Sequence, residues 1–185
     1  MGDQMRAALF FIMSLAVLLT LNEPARANFL LEPYAGYYTG GWNDHAGSSY
    51  HMDGVTYGAR VGYQYLGFMA GVDYMSGSWK DNASPVDTLT PSSLGAFIGY
   101  NFIRWFRIYG GYGFNSQLKM SDGTSTNTLQ GTDFKFGLGF KILPYVSLNL
   151  EYYAATFTKD NSGPLSPNTT DNMFGLTLSL PFDLL

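Results

Sequence analysis

His45 and His51 are the only imidazoles in the chain, and they share one stretch with Asp44, Ser48, Ser49 and Asp53. Residues of these types can build a nucleophile, because a serine hydroxyl attacks when a base within hydrogen-bond reach takes its proton. They can also hold a metal. Neither chemistry has its pattern here. The stretch is rich in Gly and Ser, shows no nucleophile signature and gives the base no rigid strand. Asp44-His45 and His51-x-Asp53 match no recognised ligand spacing. Solvated loop histidines are expected, with no catalytic residue, no metal ligand and no cofactor. The chain has no cysteine (Cys 0), which removes thiol nucleophiles, thiolate zinc sites and iron–sulfur ligation. Gly110-Gly111-Tyr112-Gly113 and Gly137-Leu138-Gly139 are not phosphate loops, since no helical pattern follows to supply an anion-binding N-terminus.

A second set of chemical residues is scattered along the chain at alternating positions. It comprises Glu32, Asp73, Asp133 and Glu151, with Arg60, Arg107, Lys135 and Lys141. The elements that carry these residues show period two throughout. Val55, Tyr57, Ala59, Val61, Tyr63 and Tyr65 share one face, while Thr56, Gly58, Arg60, Gly62 and Gln64 share the other. Similar splits run through 68–75, 94–102, 106–115, 133–142, 146–153 and 174–182. A weaker one covers 30–38, where Pro33 belongs near a strand start. These make eight strands. Their connections alternate in length, with Leu66-Gly67, Ile103-Arg104-Trp105 and Leu143-Pro144 tight, and 39–54, 80–91, 121–127 and 158–170 long and polar. Short turns at one end and long loops at the other predict an all-β fold, an eight-stranded antiparallel up-and-down barrel.

Side-chain volume decides which face looks outward. One face carries more than a dozen Phe and Tyr, and the other is dominated by Gly with scattered polar groups. An eight-stranded barrel has an interior only just wide enough for side chains to fill. The aromatic face must therefore be outside, where it bears no charge on any strand and clusters its rings near both strand ends. That arrangement fits a bilayer. The composition agrees: 46% hydrophobic and 13% charged, where a soluble domain carries about 25% charged. Arg6, the apolar run 7–21 and Ala25-Arg26-Ala27 predict a secretory signal peptide over 1–27, leaving an outer-membrane barrel domain over 28–185.

The opening run Leu31-Glu32-Pro33-Tyr34-Ala35-Gly36-Tyr37 and the closing run Gly175-Leu176-Thr177-Leu178-Ser179-Leu180-Pro181-Phe182 carry a family likeness. The chain resembles the small outer-membrane β-barrel proteins of the OmpA/OmpX-like superfamily, including Ail and opacity-type surface proteins. The closing run is similar to that family's assembly signal, although here Asp183-Leu184-Leu185 follow the aromatic. Both termini are expected on the short-turn, periplasmic side, with outer-membrane lipid and lipopolysaccharide as surroundings, and the resemblance implies periplasmic chaperones and barrel-assembly machinery as partners. It transfers no functional residue.

Four acids and four bases on the inward face cancel. Lone charges in so narrow a lumen are costly to desolvate, so a paired network and a closed barrel are expected. An apolar conduit is the alternative, with Phe97, Tyr109 and Tyr153 too few to line it, and a lipid A-modifying enzyme is the weakest reading. Outside the signal, Lys and Arg are too few against Asp and Glu to bind nucleic acid. Net charge is −4, and the loops with their borders account for it: Asp44, Asp53, Asp81, Asp87, Asp122, Asp160 and Asp171 against Lys80, Lys119 and Lys159. Trp42, Tyr50, Met52 and Trp79 are expected there as aromatic and thioether anchors among Gly, Ser, Asn, Thr and Asp. Such loops suit an envelope-structural role or recognition of a cell-surface ligand.

Overall fold

The computed structural model describes residues 27–43, 48–82, 88–103, 105–121, 125–143 and 145–184. The expected signal peptide lies outside them but for its last residue, as do Asp44, His45, Asp87, Arg104 and Asp122. Among the described residues nine strands form one sheet: β1 (Asn28–Asn43), β2 (Ser49–Tyr65), β3 (Phe68–Asp81), β4 (Thr88–Ile103), β5 (Phe106–Ser121), β6 (Thr126–Leu143), β7 (Val146–Asp160), β8 (Gly163–Ser179) and β9 (Phe182–Leu184). From β1 to β8 each strand pairs antiparallel with its chain neighbour, and β1 pairs with β8 as well as β2, so the ring closes; β9 pairs with β1 alone.

β9 is the short continuation of β8. The backbone breaks step at Leu180-Pro181, because proline has no N–H for the ladder. Pairing resumes as Phe182 meets Leu31 and Leu184 meets Phe29. The barrel is therefore eight-stranded, and the tail after the closing aromatic seals the β8–β1 seam. At the β2–β3 turn Leu66 and Gly67 have φ of 50° and 83°. Two consecutive left-handed residues give the tight hairpin geometry that matches strand twist.

The polar stretches expected as long loops are mostly strand. Connections at that end span only 44–48, 82–87, 122–125 and 161–162. β3, the shortest of the eight staves, has 14 residues and β6 has 18, whereas crossing a bilayer takes about 9–11. Beyond the membrane level the alternation persists but the residue types change sides. Met52, Trp79, Leu89, Leu118, Leu129, Phe157 and Met173 point in and are buried, while Ser78, Lys80, Thr90, Lys119, Thr158 and Asn172 point out. A wall standing in water must hide its apolar residues in the lumen. In β5 a bulge between Gly113 and Ser116 helps the changeover. Phe114 and Asn115 are both exposed there, and the inward set passes from odd to even numbers. Within 163–169 only Gly163, Pro164 and Thr169 pair, all with β7 and none with β1, so Pro164 sits at a sheet edge, where proline is tolerated.

The outward face between these levels is apolar. Tyr37, Tyr57, Tyr74, Phe114, Phe134 and Phe174 stand exposed towards the loops, and Tyr63, Tyr65, Phe68, Trp105 and Tyr145 at the turn end. Phe68, Tyr100, Phe102, Phe106 and Phe140 touch in sequence around the turn-end band, with ring centroids 4.7, 5.0, 5.7 and 5.2 Å apart.

Candidate functional site: the barrel interior

The lumen is filled in two layers. The lower layer is charged, and its register follows from the sheet, where Glu32 faces Arg60 across β1–β2 and Arg60 faces Asp73 across β2–β3. Arg60 is central. Its Nη1 lies 3.1 Å from Glu32 Oε1, its Nη2 2.5 Å from Glu151 Oε1 and 3.1 Å from the Tyr109 hydroxyl, and its Nε 3.7 Å from Asp73 Oδ2. The guanidinium is sandwiched between Tyr34 and Tyr109, 4.5 and 4.2 Å from their ring centroids, so its faces meet π-density while its edges meet carboxylates.

Arg107 grips both oxygens of Glu32, with Nη1 at 2.8 Å from Oε2 and Nη2 on Oε1. Its Nη2 also donates to Asn149 Oδ1 at 2.9 Å and Ser179 Oγ at 3.0 Å. Lys135 Nζ donates to Asp73 Oδ2 at 2.8 Å and to the Tyr34 hydroxyl at 3.0 Å, and Tyr34 in turn donates to Asp73 Oδ1 at 2.8 Å. The hydroxyls of Tyr38 and Tyr109 both donate to Glu151. Three bases and three acids thus balance within this network, all buried. Glycine makes room for the rings: a Cβ at Gly137 would enter the Tyr109 ring, and one at Gly175 the Tyr38 ring.

Of the eight charged residues chosen from sequence, six form this network. Asp133 stands apart on the Ser93 hydroxyl. Lys141 sits half-buried at the turn end and makes no ion pair among the described residues. The tyrosines Tyr34 and Tyr38, with Asn149 and Ser179, were not singled out as partners. Parity would have found them, since Tyr34 and Tyr38 share the face of Glu32.

The upper layer is apolar. Tyr38, Met52, Met75, Trp79, Leu89, Leu118, Leu129, Tyr153, Phe157 and Met173 form one buried cluster above the charges. Met52 and Trp79 are therefore lumen fillings, not exposed loop anchors, and Trp79 donates its indole N–H to Thr56 Oγ1 at 2.9 Å. Asp81 and Asp171 are likewise buried within strands. Both oxygens of Asp171 lie in this layer without a hydrogen-bond partner. Those two acids of the expected loop tally therefore lie inside the barrel and not on its outer surface. His51 is exposed on the outer wall, its Nε2 3.4 Å from Thr39 Oγ1, while Ser49 donates to Asn43.

A closed antiparallel ring, apolar outside between two aromatic bands and charge-filled within, is a transmembrane β-barrel. The chain belongs to the outer membrane protein beta-barrel domain family, whose model matches residues 11–182. It is an integral outer-membrane protein. Among solved structures it is similar to Neisserial surface protein A (NspA), at 18% identity and TM-score 0.55, with 86% of this chain and 100% of that one covered. It is also similar to Ail, the attachment invasion locus protein of Yersinia pestis, at 12% identity and TM-score 0.60, with 84% and 99% covered. These likenesses extend to the fold. No curated protein matches the chain in sequence.

Proposed function

We propose that the protein acts at the cell surface as a closed barrel, presenting a rigid polar collar for recognition and passing no solute. The collar carries this reading. Strands of 14–18 residues overshoot the bilayer and stay packed around an apolar filling, with polar residues turned outward. A barrel that had only to span the membrane has no need of that structure. Ail, a similar fold, is described as an attachment invasion locus protein, which is compatible with recognition here. No catalytic role is assigned to any residue.

Residues 1–27 serve as a cleaved signal, so that the mature domain is 28–185, with both ends periplasmic. Delivery depends on periplasmic chaperones and the barrel-assembly machinery, and lipopolysaccharide surrounds the loop-side band. The test replaces the outward collar residues Asp53, Lys80, Lys119 and Lys159 with alanine and measures attachment of expressing cells to target surfaces. Loss of attachment, with heat-modifiable gel migration retained, supports recognition. Unchanged attachment, with an envelope permeability defect only on deleting the whole barrel, assigns the structural role instead.

A further inference from the structure

The membrane-facing wall is not uniformly studded. Along one row of paired residues across β3, β4, β5 and β6, Ala70, Ile98, Gly110 and Phe136 alternate small and large. Gly110 is the one glycine on the outward face between the aromatic bands among the described residues. The small residues open a groove of about 670 Å³ on that wall at the turn end. Its lining is almost wholly apolar side chain, with Ala70, Ile98 and Gly110 along it and Tyr63, Tyr65 and Tyr100 on its rim. None of these three tyrosine hydroxyls has a protein hydrogen-bond partner among the described residues.

We propose that this groove is the binding site for one acyl chain of a periplasmic-leaflet glycerophospholipid, with the rim tyrosines donating hydrogen bonds to its ester and phosphate oxygens. Position supports this: the groove lies on the outward wall beside the turn-end aromatic band, which the orientation proposed above puts in the periplasmic leaflet. Shape favours lipid over a second copy of the protein. A two-fold dimer would set the same patch against itself, and two concave surfaces face to face enclose a void whose lining loses its contacts. A flexible hydrocarbon chain fills such a trough. Chemistry agrees, because tyrosine presents an apolar ring and a polar tip to this boundary.

Gly110 provides a clean test. A Cβ built there meets only the Lys135 carbonyl oxygen, at 3.7 Å, so a large side chain projects into the groove without disturbing the sheet. The full mature barrel, reconstituted in phosphatidylethanolamine and phosphatidylglycerol bicelles and moved to mild detergent, is weighed by native mass spectrometry. Wild type is expected to retain one phospholipid per barrel. Gly110→Trp should lose it while keeping heat-modifiable migration, and Ala35→Trp, outward on another wall, should keep it. Replacing Tyr63, Tyr65 and Tyr100 with Phe should reduce retention without abolishing folding. Equal lipid on wild type and Gly110→Trp overturns the proposal. So does a wild-type dimer, trapped by cross-linking, that Gly110→Trp converts to monomer.

Discussion

Arg60 spends its donors on two glutamates and a tyrosine hydroxyl, and both its faces on tyrosine rings. Removing one partner of a buried ion pair is far worse than removing both, because an uncompensated charge remains. Arg60→Met should therefore destabilise the barrel by about 3–5 kcal/mol in urea unfolding from lipid vesicles. Lys141→Met, at the turn end, should fall within about 0.5 kcal/mol of wild type. Asp171 is the opposite case. Its carboxylate is buried with neither oxygen hydrogen-bonded, so Asp171→Leu should raise stability by about 1–3 kcal/mol in the same assay. The six network charges were legible because a charged residue on a glycine-rich, period-two face can point only inward. Asp171 was not, because its flanking threonines, asparagines and Pro167 read as loop, and nothing local revealed that the strand continues through it.

The strands carry two messages with one period. Between the bands the apolar residues face lipid, and above them they face the lumen, so a pattern sought with a single orientation ends at the membrane surface. That is why 39–54 and 158–170 read as loops although β1, β2, β7 and β8 occupy most of them. Strand number, order, tight turns and the outward face were legible, since each rests on alternation inside the bilayer. If the upper filling supports the collar, Trp79→Ala should cost about 3–5 kcal/mol, as truncation of a buried Trp does. Hydrogen exchange should then speed up in the upper halves of β2 and β3, while Ser78→Ala, one residue away on the outer wall, should leave exchange unchanged.

For the whole molecule, two fillings of different chemistry are stacked in one lumen. Passage would require breaching both. In planar bilayers wild type should show no steady conductance steps, and Trp79→Ala alone should remain silent because the Arg60–Glu32–Glu151 layer lies beneath it. Reproducible single-channel steps in wild type would contradict a closed barrel. Openings in Trp79→Ala would show that the charged layer is no seal by itself.

The level at which apolar residues change sides also works as a draught mark. A barrel that rode higher would lift bare Phe and Tyr into water, and one that sank would drag Lys80, Lys119 and Lys159 into hydrocarbon. Small errors of a few ångströms are penalised in both directions. The protein is thus matched to one hydrocarbon thickness, and in thicker synthetic bilayers it should deform the lipid around it before it shifts or tilts.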